Sequence, residues 1–463
     1  MIVNEKIAQK VLDAALETGG DFSELFCEDT LSHDISGIDC KIESAAFNHS
    51  HGAGVRVLKG ENSAYAYTSD TSEESLIKCA KAAAAVLNGT KEASCAPFEY
   101  KAYEIPQKIR FREVENKAKT KLLIDAMNAM KAHSNEISQS IARILDYERH
   151  IEVFNSEGIH SEDIQPRTRF VVTAVASNSN DSQTGYSAPG YGMGFEAYST
   201  KIDIEEDAIN AAKTAVLMLH ADNCPAGKFP VVIDGGFGGV ILHEACVHSL
   251  EATCVAKGNS VFCNKLGTKI ASDCVTAIDD GTLPGEWGTT SIDDEGYPTQ
   301  RNVLIENGIL KSYLVDRLGS RVMNHKMTGS SRRQNYAYAP TSRMNNTFFA
   351  GGIDDKDEMI KSISEGLFAT KMGGGSVNPL TGEFCFSVAE GYWIKNGVIV
   401  KPVKGATLVG KGSDILLKID KVAKNEWLSP GMCGSQSGYV PVTVGQPRIR
   451  VSEITVGGKG GAM

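Results

Sequence analysis

No run of even about 18 consecutive apolar residues occurs in this chain, which excludes a helical membrane span. The first twenty residues have no apolar core of the kind a secretory signal needs, so the expected location is cytoplasmic. Positive charge is in deficit: 47 Lys and Arg stand against 57 Asp and Glu, a formal net charge of -10. Direct nucleic-acid binding relies on basic side chains meeting phosphates, and this balance opposes it. No C-x-x-C pair exists among the eleven scattered cysteines, so zinc-ribbon and thioredoxin readings are unavailable. Their odd number and lack of a framework fit reduced thiols, most of them small core residues. Internal repeats and low-complexity tracts are also missing.

What is present is ordinary globular composition, 42% hydrophobic and 22% charged, over 463 residues. That length suggests two or three domains with ample core. The opening residues predict an amphipathic helix with Ile7, Val11, Leu12 and Ala15 inward and Gly19-Gly20 as its stop. Short strand-like segments follow at 23–39, 40–50, 53–60 and 62–69, punctuated by glycines at 52, 54 and 60. Segment 71–89 predicts a helix, with a capping box from Thr71 and Glu74 and Gly89 as its end. Residues 91–110 resemble a connection. A helix at 111–134, strands at 138–156 and 168–178, and a helix at 205–221 come next. Between them, 179–196 is rich in Gly and Ser with Tyr186 and Tyr191, and reads as a mobile loop or a hairpin tip contacting substrate.

The fold class expected is α+β: an N-terminal region at 1–222, with helices packed on an antiparallel sheet, and a C-terminal β-rich domain at 223–463 carrying the metal site. The connection at 91–110 leaves room for two subdomains in the first region. In the second, hairpins are expected at Asn307-Gly308 and Asn396-Gly397, in a sandwich-like or barrel-like domain.

The chemistry centres on 237–252, FGGVILHEACVHSLEA. It holds His243, Glu244 and His248, an H-E-x-x-x-H arrangement. Imidazoles can bind zinc, and the carboxylate can take a proton from water. The spacing is unusual. Histidines four apart on a helix are offset by about 40°, five apart by about 140°. A regular helix would splay the second pair, so a π-bulge or a helix end is expected between Glu244 and His248. The alternative is two ordinary histidines on a buried helix. Cys246 would point away from the ligand face.

A catalytic zinc takes three protein ligands and keeps one open position. Cys433, in the Pro- and Gly-rich stretch 429–447, is a candidate third ligand on a tight loop, although composition does not select it over the other cysteines. The run 373–375 offers close backbone approach or a plain turn. It lacks the Gly-Lys-Ser/Thr ending of a phosphate loop.

Four stretches together carry a resemblance: 243–252, 332–347, 373–410 and 432–458. With these the chain resembles the TldD subgroup of the TldD/PmbA metallopeptidases, called modulators of DNA gyrase in older usage. The resemblance implies that His243 and His248 bind Zn2+, that Cys433 is the third ligand and that Glu244 is the general base. It implies unfolded or short peptides as substrates, including a microcin precursor and an unstable antitoxin. It also implies either a PmbA/TldE-type partner subunit or a homodimer. Cys246, Ser249 and Ala252 depart from the family pattern without removing a ligand. The PmbA subgroup lacks the motif, so this chain resembles the catalytic type. Tyr336, Tyr338, Arg332 and Arg333 are candidate oxyanion or peptide-binding donors.

Two other functions compete. A non-enzymatic regulator acting on gyrase or antitoxin pathways has no need of Glu244 beside the first histidine. A cysteine hydrolase would need a nucleophile that no local pattern marks.

Overall fold

The computed structural model describes residues 1–378 and 381–458. The fold is mixed α/β with mainly antiparallel sheets. Its first half is built on long strands. Helix α1 (Glu5–Ala15) starts where the Asn4 side chain accepts from the Ile7 N–H. Then come β1 (Phe22–Ile38), β2 (Lys41–Lys59), β3 (Asn62–Thr68), α2 (Glu73–Ala84), β4 (Glu99–Glu104) and α3 (Asn116–His133). They are followed by β5 (Ile137–Asn155), β6 (Ile159–Ser177), β7 (Ser182–Ser187), β8 (Gly190–Tyr191), α4 (Ala197–Thr200) and α5 (Ile204–Leu219). The strand order is β3-β2-β1-β5-β6-β4, with β7 and β8 also paired to β6.

Several local readings are corrected. The segments 40–50 and 53–60 are one strand, β2, running through Gly52 and Gly54. Those glycines mark crowding and not turns. A Cβ at Gly54 would lie 1.7 Å from the Tyr65 hydroxyl, and one at Gly52 would lie 2.6 Å from the Tyr336 ring. The cap of α2 is Ser72, which accepts from the Ser75 N–H; the helix ends at Ala84, well before Gly89. The segment 179–196 forms β7 and β8, strands of the sheet.

One face of this sheet packs against helices. Leu25, Cys27, Val55 and Phe154 join α1 and α2 in one apolar cluster. Ile35, Ala142, Ile144 and Phe170 join α3 and α5 in another. Alternate residues point the other way, towards the rest of the chain. There Phe26, Ile151 and Val153 pack on Ile292. Around them lie buried ion pairs: Arg333 with Glu24 at 2.5 Å, Arg149 with Asp294 at 2.9 Å, and Arg56 with Glu295.

The second half, from Asp222 onward, contributes two larger sheets. In the first, strand Glu365–Val377 pairs with Gly227–Ile233 on one side and with Glu383–Lys395 on the other. Strands Ile449–Gly457 and Thr407–Lys411 complete the path between them, so five strands close into a ring. The turns at Asn307-Gly308 and Asn396-Gly397 are hairpin tips with positive φ at both residues of each, as the twist of a tight hairpin requires. The other sheet has six strands, ending in the hairpin of Gly438–Gln446 and Trp427–Ser435, with Trp427–Ser435 at its edge. Among the described residues no helix is long and apolar enough to cross a membrane.

Candidate metal centre

The segment around the H-E-x-x-x-H motif is not one helix. Residues Gly236–Gly239 form a 3-10 turn, Val240–Ala245 an α-helix, and Val247–Leu250 a second 3-10 turn. The break is at Cys246, with φ -126° and ψ -59°. Of the two devices expected between Glu244 and His248, the helix end is the one found. Gly412 packs against this end: a Cβ there would sit 1.7 Å from the Ala245 carbonyl oxygen. Upstream, Gly239 lies against the backbone of Gly445, which fixes the entry to the helix. Val240, Ile241, Leu242 and Ala245 are all buried in the main core, which anchors the helix.

The break turns the two imidazoles towards each other. Their ring centroids are 4.9 Å apart and nearly perpendicular. Cys433 enters from the opposite side. It stands in the edge strand Trp427–Ser435, close to the turn at Gly438, and not in an irregular loop. Pro430 and the glycines mislead here because an edge strand tolerates both. Its Sγ lies 3.2 Å from Nε2 of His243 and 3.3 Å from Nε2 of His248. One ligand atom from each of the three residues falls within 4.8 Å of the others. A zinc ion bound tetrahedrally by a thiolate and an imidazole separates S and N by about 3.5 Å, so the spacing fits.

The electrostatics suit a cation. Burial pushes the Cys433 thiol up, but the neighbouring His243 and His248 bring it well below the ordinary range. Burial pushes His248 down, and Glu251 and Cys433 more than reverse this. Cys246, one turn away, has only burial acting on it and is held up as a thiol. Nδ1 of His248 pairs with Glu251 at 3.1 Å, which leaves Nε2 for the metal side. Arg343, fully buried, donates to the Cys433 carbonyl at 2.6 Å and to the Gly438 carbonyl at 2.9 Å, and lies 3.9 Å from Glu251. Sequence reasoning missed both Glu251 and Arg343. A signal for Glu251 existed, an acidic residue three positions after His248; nothing local marked Arg343. Glu244 is partly exposed, with Oε2 3.7 Å from Nε2 of His248.

Of the other candidate donors, the two arginines are engaged elsewhere. Arg332 donates to the carbonyls of Met344 and Pro441, and burial lowers it to about 10. Arg333 is held by Glu24 and the Asp294 carbonyl. Tyr336 packs on Tyr67, and its N–H donates to Glu28. Tyr338 caps a backbone turn to Asn335.

A cleft of about 1050 Å³ runs between the two halves of the chain. Arg169, Tyr186 and Tyr191 line it from one side, and Lys371, Gly374 and Met432 from the other. Met432 directly precedes Cys433. The glycines 373–375 belong to a bulged strand and not to a plain turn.

Three consecutive stretches match known family domains: PmbA/TldA metallopeptidase domain 1 over residues 23–87, the central domain over 109–219 and the C-terminal domain over 226–458. A metalloprotease TldD homolog of Haemophilus influenzae is 35% identical over 450 residues, covering 95% of this chain and 93% of that protein. A TldD homolog of Buchnera aphidicola is 35% identical over 427 residues, with 90% and 88% covered. A metalloprotease of Methanocaldococcus jannaschii is 34% identical, with 97% and 99% covered. In fold, the chain is similar to a candidate modulator of DNA gyrase from Thermotoga maritima, with TM-score 0.78, 21% identity, and 98% of this chain and 100% of that one covered. It is also similar to TldE from Thermococcus kodakarensis, with TM-score 0.76, 18% identity, and 97% and 99% covered.

Proposed function

Because the chain belongs to the PmbA/TldD metallopeptidase family, we propose that it is a zinc-dependent peptidase acting on unfolded or short peptides. The observation that carries this reading is the convergence of His243, His248 and Cys433, ligand atoms within 4.8 Å, beside the partly exposed carboxylate of Glu244. Two imidazoles and a thiolate favour zinc over magnesium or calcium. A zinc ion held there supplies a Lewis acid that polarises a peptide carbonyl and makes water a better nucleophile.

The chain's own residues do the rest. Glu244 accepts a proton from the attacking water and returns it to the leaving amine. Glu251 holds His248 in one orientation, and Arg343 holds the end of the hairpin that carries Cys433. The cleft between the halves receives the peptide. We place the protein in the cytoplasm, where its eleven free cysteines stay reduced. We also propose a two-domain division, with the joint at 222/223 and the metal centre in the second domain, and a PmbA/TldE-type partner or a second copy of the chain beside it.

Zinc content and hydrolysis of an unstructured peptide test the reading together. After dialysis into zinc-free buffer, about one tightly held zinc per chain is expected in the wild type and none in Cys433→Ser. Glu244→Gln should keep the zinc and lose hydrolysis. A Glu244→Gln protein that cleaves as fast as wild type would sink the peptidase mechanism.

A further inference from the structure

We propose a second divalent-cation site, away from the first, formed by Asp29, His49 and His51 on the β1–β2 ribbon. His49 and His51 are two apart on β2, so the strand's alternation puts both rings on one face. Asp29 is the direct cross-strand partner of His51. One ligand atom from each of the three residues falls within 4.8 Å of the others. Nε2 of His49 is 2.7 Å from one Asp29 oxygen, and Nδ1 of His51 is 3.4 Å from the other. Two donors that share a zinc ion at tetrahedral angles are about 3.3 Å apart.

His51 is the residue best placed to take a cation. Its Nε2 pairs with the Thr71 hydroxyl at 3.0 Å. When that nitrogen carries the proton and donates it, Nδ1 is a bare lone pair. This Nδ1 is shielded from solvent and makes no hydrogen bond among the described residues. In that tautomer a lone pair and a carboxylate oxygen, two acceptors, face each other at 3.4 Å. A metal ion relieves that repulsion, and so does the other ring tautomer, in which the Thr71 hydroxyl donates to Nε2 and Nδ1–H faces Asp29. The next histidine in the row, His150, is also a cross-strand partner of Asp29, but its Nε2 is taken by Glu162 at 2.7 Å. The cluster therefore offers two imidazoles and one carboxylate, with Thr71 orienting one ring from behind. That set suits zinc, nickel or copper and not magnesium or calcium. With rings 51% and 33% exposed, the site is open to solvent and weaker than the buried one. A bound ion ties β1 to β2.

Zinc chloride alone is the probe, with bound metal counted by elemental analysis after equilibrium dialysis at rising free zinc. Wild-type protein should take up roughly two equivalents per chain, one tight and one weaker. His49→Gln/His51→Gln should lose only the weaker one, and Asp29→Asn should weaken it by roughly tenfold or more. Cys433→Ser should keep it, and zinc should still raise the melting temperature of that variant. These positions are on the surface, so the variants remain folded, and circular dichroism checks this. Uptake unchanged in the double histidine variant overturns the proposal. So does a wild-type chain that stops at one equivalent, because a proton then fills the gap. The result stands apart from the peptidase reading: loss of zinc from Cys433→Ser tests one site, and loss from the histidine pair tests the other.

Discussion

Glu251 accepts a hydrogen bond from Nδ1 of His248 at 3.1 Å, and through it a residue outside the ligand set decides which way the ligand ring faces. Removing such a partner costs a metal site about 10- to 100-fold in affinity. Glu251→Ala is therefore expected to weaken zinc binding by that order, with Glu251→Gln intermediate because it can still accept from the ring. Competition with a chelator of known affinity measures both.

Arg343 reaches the same centre from the other ligand. It donates to the Cys433 carbonyl and to Ser437 and Gly438 at the hairpin turn. Arg343→Lys keeps the charge but loses the planar fork that meets several acceptors at once. The variant should fold and bind zinc more weakly, with a larger loss in peptide turnover. Unchanged chelator competition would show that the hairpin holds Cys433 in place without Arg343.

Glu244→Gln separates proton transfer from metal binding. The amide cannot take a proton, and loss of a general base slows turnover by about 100- to 10,000-fold. The expected result is retained zinc, a similar KM and a kcat reduced by that factor, read from peptide hydrolysis with the metal content checked in parallel.

The pair of Arg333 and Glu24 joins the two halves of the chain at 2.5 Å with both side chains fully buried. Removing one partner of a buried pair leaves a charge without compensation, at a cost of about 3–5 kcal/mol. Glu24→Ala should lower stability by that order in urea unfolding. Exchanging both residues for apolar ones of similar volume should cost much less.

Asp146 gives a signed pH dependence. Burial raises it to about 6, although Lys119 lies 3.3 Å away and pulls it down. A carboxyl raised on folding contributes stability that is complete below its unfolded value, near 3.8, and is lost as pH rises through about 6. The stability difference between wild type and Asp146→Asn should therefore shrink between about pH 4 and pH 6, by up to about 1.4 kcal/mol per pH unit. A constant difference across that range would contradict the raised value.

Much of the chain could be read locally. The helices at α1, α2 and α5 follow apolar periodicity, and the hairpins at Asn307-Gly308 and Asn396-Gly397 follow turn chemistry. Gly52 and Gly54 misled because a glycine that admits an aromatic ring looks, in one dimension, like one that makes a turn. Pro430, Gly431 and Gly434 misled for a related reason: they suggest a loop, yet an edge strand has no partner on one side for them to disrupt.

The sequence alone determined that His243, Glu244 and His248 share a short segment, that their spacing is incompatible with an unbroken helix, and that the long C-terminal stretches resemble one family. Those are properties of neighbours along the chain, where helical geometry sets what can face what. Only the tertiary structure decided the rest. It ended the helix at Ala245 against Gly412, brought Cys433 across from a strand 185 residues after His248, and placed Glu251 and Arg343 behind the ligands. The same is true of Asp29 beside His49 and His51, which meet through strand register. Contacts of this kind depend on how sheets pack and pair, and no local pattern encodes a partner that distant.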